Sequence, residues 1–122
     1  MTHQSRVCAI LFDVGSDSYE SACQFWAGAL GRELKFDPTE RYTALRGELD
    51  YLVQNTEPGR EGMHIDIETN DVEAEVARLE RLGARKREKV KDWWVMVSPG
   101  GLPFRVVPVQ SDTWPKGATE WE

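Results

Sequence analysis

The chain has 122 residues, 40% hydrophobic and 30% charged, with 15 lysines and arginines against 21 aspartates and glutamates. That is one domain's worth of ordinary globular sequence, which argues against intrinsic disorder. A net charge of −6 argues against a dedicated nucleic-acid binder, and no apolar run approaches the ~18 residues of a membrane span.

The first residues carry neither a long apolar stretch nor a small-residue cleavage site, so no signal peptide is expected. The two cysteines, Cys8 and Cys23, sit in no metal or redox spacing. They read as buried thiols of a reducing compartment, and a cytoplasmic location is the expectation.

Residues 6–14 form a short apolar run stopped by Gly15-Ser16-Asp17, as a covered strand would be. Asp17 with Glu20 three positions on resembles a capping box. Ala22, Phe25, Trp26, Ala29 and Leu30 then recur at helical spacing, and Gly31 stands where a left-handed cap would fall. Short strands are expected at 33–36, 41–46 and 51–55, the last two joined by Gly47-Glu48-Leu49-Asp50. Residues 56–62 are the most loop-like stretch.

The second half repeats the plan. Residues 63–69 alternate, with Met63, Ile65 and Ile67 on one face, expected to pack under the helix that follows, and His64, Asp66 and Glu68 on the other. Asn70-Asp71-Val72-Glu73 starts a helix whose stripe is Val72, Val76, Leu79 and Leu82, ended by Gly83. A charged strand at 85–89 and a hairpin of 93–98 with 104–109 follow. Both helices end in Leu-Gly, and strand–helix–strand–strand–strand occurs twice. Internal duplication is the economical reading. The modules run from about 6 to 55 and 63 to 109, and the tail 110–122 fits neither.

Several segments, in order, resemble the vicinal oxygen chelate superfamily, which includes glyoxalase I, bleomycin-resistance proteins and extradiol dioxygenases. Cys23-Gln-Phe-Trp-Ala-Gly-Ala-Leu-Gly31 is similar to its first helix, and Met63-His-Ile-Asp-Ile-Glu-Thr-Asn-Asp71 to its fifth strand and the following cap. Ala77-Arg-Leu-Glu-Arg-Leu-Gly-Ala84 resembles the second helix end. The stretch from Trp94 to Val107, through Pro99-Gly-Gly-Leu-Pro103, resembles the closing hairpin. The likeness covers about residues 6–109 and is closest in style to short bacterial glyoxalase-like proteins. It implies an α+β fold of two tandem βαβββ modules, forming a curved mixed sheet around a cleft. A homodimer is implied as well.

Metal-dependent members place four ligands in that cleft. The matching positions here are Ala9, Gln54, His64 and Arg105. Two are plausible donors, one has no donor atom and one is a cation, which a divalent metal's first shell excludes. No cofactor is therefore expected. A divalent metal, if one bound, would use Gln54 and His64. Asp13 and Asp66 are available as substitute donors, and nothing in the sequence requires them.

His64 reads either as a cleft acid, base or ligand donor or as a histidine held in a strand-to-strand network. Arg105 lies between Phe104 and Val106 and so faces away from their apolar side. There it either holds a ligand carboxylate or forms an internal salt bridge to Asp66, Glu68 or Asp13. Leu52 and Gln54 take the matching direction on their strand, and Asp66 shares the face of His64. Trp93 and Trp94 face opposite ways, one toward the core, and Trp94 is placed among the cleft residues. The basic run 85–91 reads either as a phosphate patch or, more simply, as a solvated edge strand guarded by charge. No nucleophile triad, P-loop or dinucleotide fingerprint is present. The reading these features favour is a metal-independent protein binding a small organic ligand in the inter-module cleft. The alternative is a metal-dependent lyase, isomerase or dioxygenase.

Overall fold

The computed structural model describes residues 2–47 and 49–122; Met1, and Glu48 in the expected 47–50 connection, lie outside the described residues. The chain is α+β. Strand β1 (His3–Val14) is followed by a single 3-10 turn and helix α1 (Tyr19–Leu30), then by β2 (Tyr42–Leu45) and β3 (Asp50–Asn55). The second half runs β4 (Gly62–Thr69), α2 (Val72–Arg81), β5 (Arg85–Val90), β6 (Trp93–Val97) and β7 (Pro103–Pro108). A short β8 (Thr119–Trp121) lies in the tail, where no strand was expected. Among the described residues no helix is long and apolar enough to cross a membrane.

The chain divides into two compact units, residues 9–64 and residues 1–8 with 65–122. In the first, β3 runs parallel to the second half of β1 and antiparallel to β2. Helix α1 covers one side, and Phe12, Tyr19, Cys23, Ala27, Leu45 and Val53 form the core. The helix buries Tyr19, Cys23 and Ala27, with Ala22, Trp26 and Leu30 at the margin. Phe25 and Ala29, expected in the stripe, are exposed: the buried face is turned by about one residue. Gly31 takes φ +66°, the left-handed cap its position predicted. The expected capping box does not form, because Ser18 occupies the cap position and no side chain caps the helix.

Residues 33–36 are not a strand. Their alternation is real, since Leu34 and Phe36 pack on the core. What they lack is a ladder partner; burial of alternate side chains leaves the same sequence trace with or without one.

In the second unit β7 pairs parallel with β4 and antiparallel with β6, and β6 pairs antiparallel with β5. Strand β8 pairs antiparallel with the start of β1, joining His3 to Trp121 in register. Helix α2 is capped by Asp71 and not by the expected box of Asn70 with Glu73: the Asp71 carboxylate accepts from the Ala74 N–H at 3.0 Å, and Glu73 accepts from Trp94. Val76, Met96, Phe104 and Val106 form its core, with Ile67, Val72, Leu79 and Trp94 packed around them. Leu82 is exposed, as are Met63 and Ile65. The expectation that Met63 and Ile65 pack under α2 is thus wrong. Of that strand face only Ile67 reaches the helix, and the face carrying Asp66 and Glu68 is the more deeply buried one.

Candidate functional site

Within residues 9–64 the polar residues gather on the strand face away from α1. The parallel register places Asp13 beside Gln54 and Leu11 beside Leu52, so Leu52 and Gln54 do share a face. The Gln54 amide donates to Asp13 Oδ1 at 3.1 Å, and His64 Nδ1 lies 2.6 Å from Asp13 Oδ2. A carboxylate only accepts, so His64 carries its proton on Nδ1. The Asp13 and His64 side chains are 10% and 12% exposed, dry enough for the short contact to hold the imidazole in one orientation. Asp13 is the hub of this cluster. Sequence reasoning named it only as a substitute donor or salt-bridge partner.

Within the other unit Asp66 and Arg105 stand opposite each other on β4 and β7. The guanidinium donates twice, from Nε to Oδ1 at 2.7 Å and from Nη2 to Oδ2 at 2.9 Å. Of the three internal partners considered for Arg105, Asp66 is the one it takes. Two of its five N–H groups are spent there, and its side chain remains 22% exposed against 3% for Asp66. Val95 of β6 stands in register with Arg105.

Trp94 is in register with Val106, on the α2 side of the sheet and therefore on the face opposite Arg105. Its indole N–H donates to Glu73 of α2 at 2.9 Å, and the Lys86 and Lys89 ammonium groups stand over its ring. Its expected place among the cleft residues is corrected by this register.

Two buried carboxylates received no site role from the sequence, Glu68 being named only among the three salt-bridge partners for Arg105. Glu68, with no exposed surface, accepts the backbone N–H groups of Gln110 and Ser111 on Oε1 at 2.9 and 3.0 Å. Its Oε2 accepts from Arg6 Nε at 2.7 Å and from the Ser111 hydroxyl. Arg6 also donates to Thr113, to Ser111 and to the Lys116 carbonyl, so this one ion pair fastens the tail. Burial pushes the Glu68 carboxyl up, but the hydrogen bonds from Ser111, Gln110 and Arg6 outweigh it and hold the group below its ordinary 4.5. Glu75 on α2 is likewise fully buried, against His3 at 2.8 Å and a two-pronged Arg78. It too is lowered, burial being overcome by Arg78 and His3.

The free thiol of Cys8 points at the Asp66 carbonyl at 3.6 Å. Burial first, then the negative charges of Glu68 and Asp66, push it up to about 12. The signal for this ionic layer was present in the alternation of His64, Asp66 and Glu68 along one strand. The partners, from Arg6 to Ser111, are too far off in sequence to be named from it.

The residues at the four family ligand positions do not suit a metal. Ala9 brings no donor, and Arg105 is a cation already bound to Asp66. Both Asp66 oxygens, the nearest substitute, accept from that guanidinium. Gln54 and His64 both bond to Asp13. Among the described residues no three His, Cys, Asp or Glu side chains gather as a metal cluster.

The strand–helix–strand order of the two halves defines a protein of the βαβββ-module class. The family model for a glyoxalase-like domain matches residues 9–107, and the chain belongs to that family. A Legionella pneumophila chain solved as an NAD-dependent benzaldehyde dehydrogenase is similar at TM-score 0.64 and 16% identity, over 84% of this chain and 98% of that one. A glyoxalase/bleomycin resistance protein/dioxygenase superfamily member from Vibrio splendidus 12B01 is similar at TM-score 0.56 and 17% identity, over 86% and 99%. An uncharacterized Methanosarcina mazei protein is similar at TM-score 0.51 and 13% identity, over 86% and 94%. No curated protein matches. At these identities the likeness is one of fold, and fold does not fix chemistry.

Proposed function

We propose that this glyoxalase-like protein binds a small organic ligand with an apolar body and an anionic or carbonyl end, and that it does so without a metal. Arg105 takes that end. The observation that carries this reading is the bidentate Arg105–Asp66 pair, in which a buried carboxylate fixes a partly exposed guanidinium that spends two of its five N–H groups among the described residues. A fixed guanidinium loses little freedom on binding a second oxyanion, and its planar fork suits a carboxylate. Val95, in register beside it, offers an apolar contact for the ligand body. The poor fit of Ala9 and Arg105 to a metal's first shell weighs against the metal-dependent alternative. A homodimer built on exposed apolar side chains such as Phe25 of α1 goes with the proposal.

A thermal-shift screen tests it. Benzoate, phenylacetate and phenylpyruvate are compared with their primary amides, each with and without chelator. The proposal expects one or more acids to raise the melting temperature above the matching amide, unaffected by chelator. Stabilisation only when a divalent metal is added would overturn it.

A further inference from the structure

All but the last residue of the basic run 85–91 folds as β5, which among the described residues pairs with β6 alone and ends the strand order. Residues 85–89 are all exposed. Lys86 and Lys89 lean over Trp94 and reach Glu80 and Glu73 of α2 at 3.9 Å each. Among the described residues no carboxylate pairs with Arg85, Arg87 or Lys91. A chain of net charge −6 thus places five of its 15 cations within seven residues, four along β5 and Lys91 in the turn after it, and among the described residues no strand neighbours the outer row of N–H and C=O groups of β5.

A net positive row, in which Glu88 is the one acidic residue, keeps like edges apart, including the same edge of a second copy. The bulge between Lys86 and Glu88 adds to that protection by twisting the edge. The charge does not oppose a strand of the other sign, and the bulge, confined to residues 86–88, leaves the rest of the edge regular. We propose that β5 is a docking edge for an extended acidic segment of a partner protein. The segment adds to the sheet through main-chain hydrogen bonds, with its carboxylates set against Arg85, Arg87 and Lys91. Strand addition gives affinity, and the charge row selects the partner and speeds encounter. Two observations together favour a polypeptide over a nucleic acid: the cations lie on a strand, and that strand is an open edge. Phosphates would use the cations and leave the open backbone row unpaired.

The test uses the whole protein and a fluorescein-labelled heptapeptide of alternating glutamate and valine. Anisotropy should report binding that weakens about tenfold or more between low salt and about 0.5 M, as exposed charge pairs are screened. Hydrogen exchange at the 85–90 amides should slow in the complex. The variant Arg85→Glu with Arg87→Glu should lose binding by a similar factor; both side chains are exposed, so the fold tolerates the change. A lysine-for-glutamate version of the peptide should not bind. Absence of binding overturns the proposal. So does binding that leaves β5 exchange unchanged, or equal binding of a single-stranded oligonucleotide of matched charge.

Discussion

Replacing Glu68 by glutamine separates charge from shape at a fully buried carboxylate. The amide oxygen can still accept the Gln110 and Ser111 N–H groups, but the new NH₂ faces Arg6 Nε, donor against donor. A charge-assisted hydrogen bond worth about 1.5–3 kcal/mol is lost. The Arg6 side chain, 13% exposed, recovers little of this from water, so about 2–3 kcal/mol is expected. With about 2.1 cal/mol/K of unfolding entropy per residue, 122 residues give about 0.26 kcal/mol/K. The melting temperature should then fall by about 8–12 °C. Differential scanning calorimetry reads that shift. Trypsin cleavage after Lys116, whose carbonyl Arg6 holds, should accelerate in parallel. Adding Arg6→Met removes the stranded charge and should recover part of the loss. A shift under about 2 °C (roughly 0.5 kcal/mol by the same conversion), with trypsin kinetics unchanged, would refute the reasoning.

Glu68 and Glu75 both titrate below their ordinary 4.5, so each contributes stability that is complete above that value and is lost as pH falls through the lowered one. Urea midpoints should be level near neutrality and drop below about pH 4.5, with a shallower drop in Glu68→Gln, because fewer protons are then taken up on unfolding. Cys8, at about 12, and Cys23, also raised by burial, should both resist iodoacetamide at pH 8 in the native protein and react after unfolding. Stoichiometric native alkylation would contradict that placement. Elemental analysis of protein purified without chelator should find no stoichiometric Zn, Ni, Mn or Fe. One equivalent per chain, lost on His64→Ala, would reverse the reading of the ligand positions.

The parts of the fold legible in the sequence were those written in local chemistry. Leu30-Gly31 and Leu82-Gly83 mark helix ends because a left-handed residue is cheapest as glycine, and both glycines have positive φ. The cap-forming pair Asn70-Asp71 announces the start of α2, although Asp71, not Asn70, is the residue whose carboxylate caps a neighbour three residues on. Phe104 and Val106 reach the α2 core as alternation said they would.

Alternation divides a strand into two faces, however, and does not say which is buried. On β4 the apolar face was taken as the covered one. Yet Met63 and Ile65 are exposed while Asp66 and Glu68 are buried, each neutralised by an arginine from another strand. Charged side chains enter an interior only with such partners, and these lie 39 and 62 residues away. Trp94 was misplaced for a related reason. Its neighbour Trp93 fixes that the two diverge, but only the pairing of Trp94 with Val106 decides which one meets α2.

For the candidate site, alternation correctly joined Leu52 with Gln54, and Arg105 with Asp66. It gave Asp13 no special weight. That carboxylate becomes the hub through the parallel pairing of β1 with β3 and the approach of His64, neither of which a single strand's pattern encodes.

The proposed anchor is tested most directly at Arg105 itself. In ¹⁵N-labelled protein, the Arg105 Nε–H resonance, assigned by its absence from Arg105→Ala, is followed during titration with phenylpyruvate, phenylacetate and benzoate. The account predicts a saturable shift of that resonance with at least one acid and none with the matching amide. Arg105→Ala should bind that acid about ten- to hundredfold more weakly, the equivalent of ~1.4–2.8 kcal/mol. Tight binding of an acid that leaves the Arg105 resonance unmoved, and is unchanged in Arg105→Ala, would contradict it.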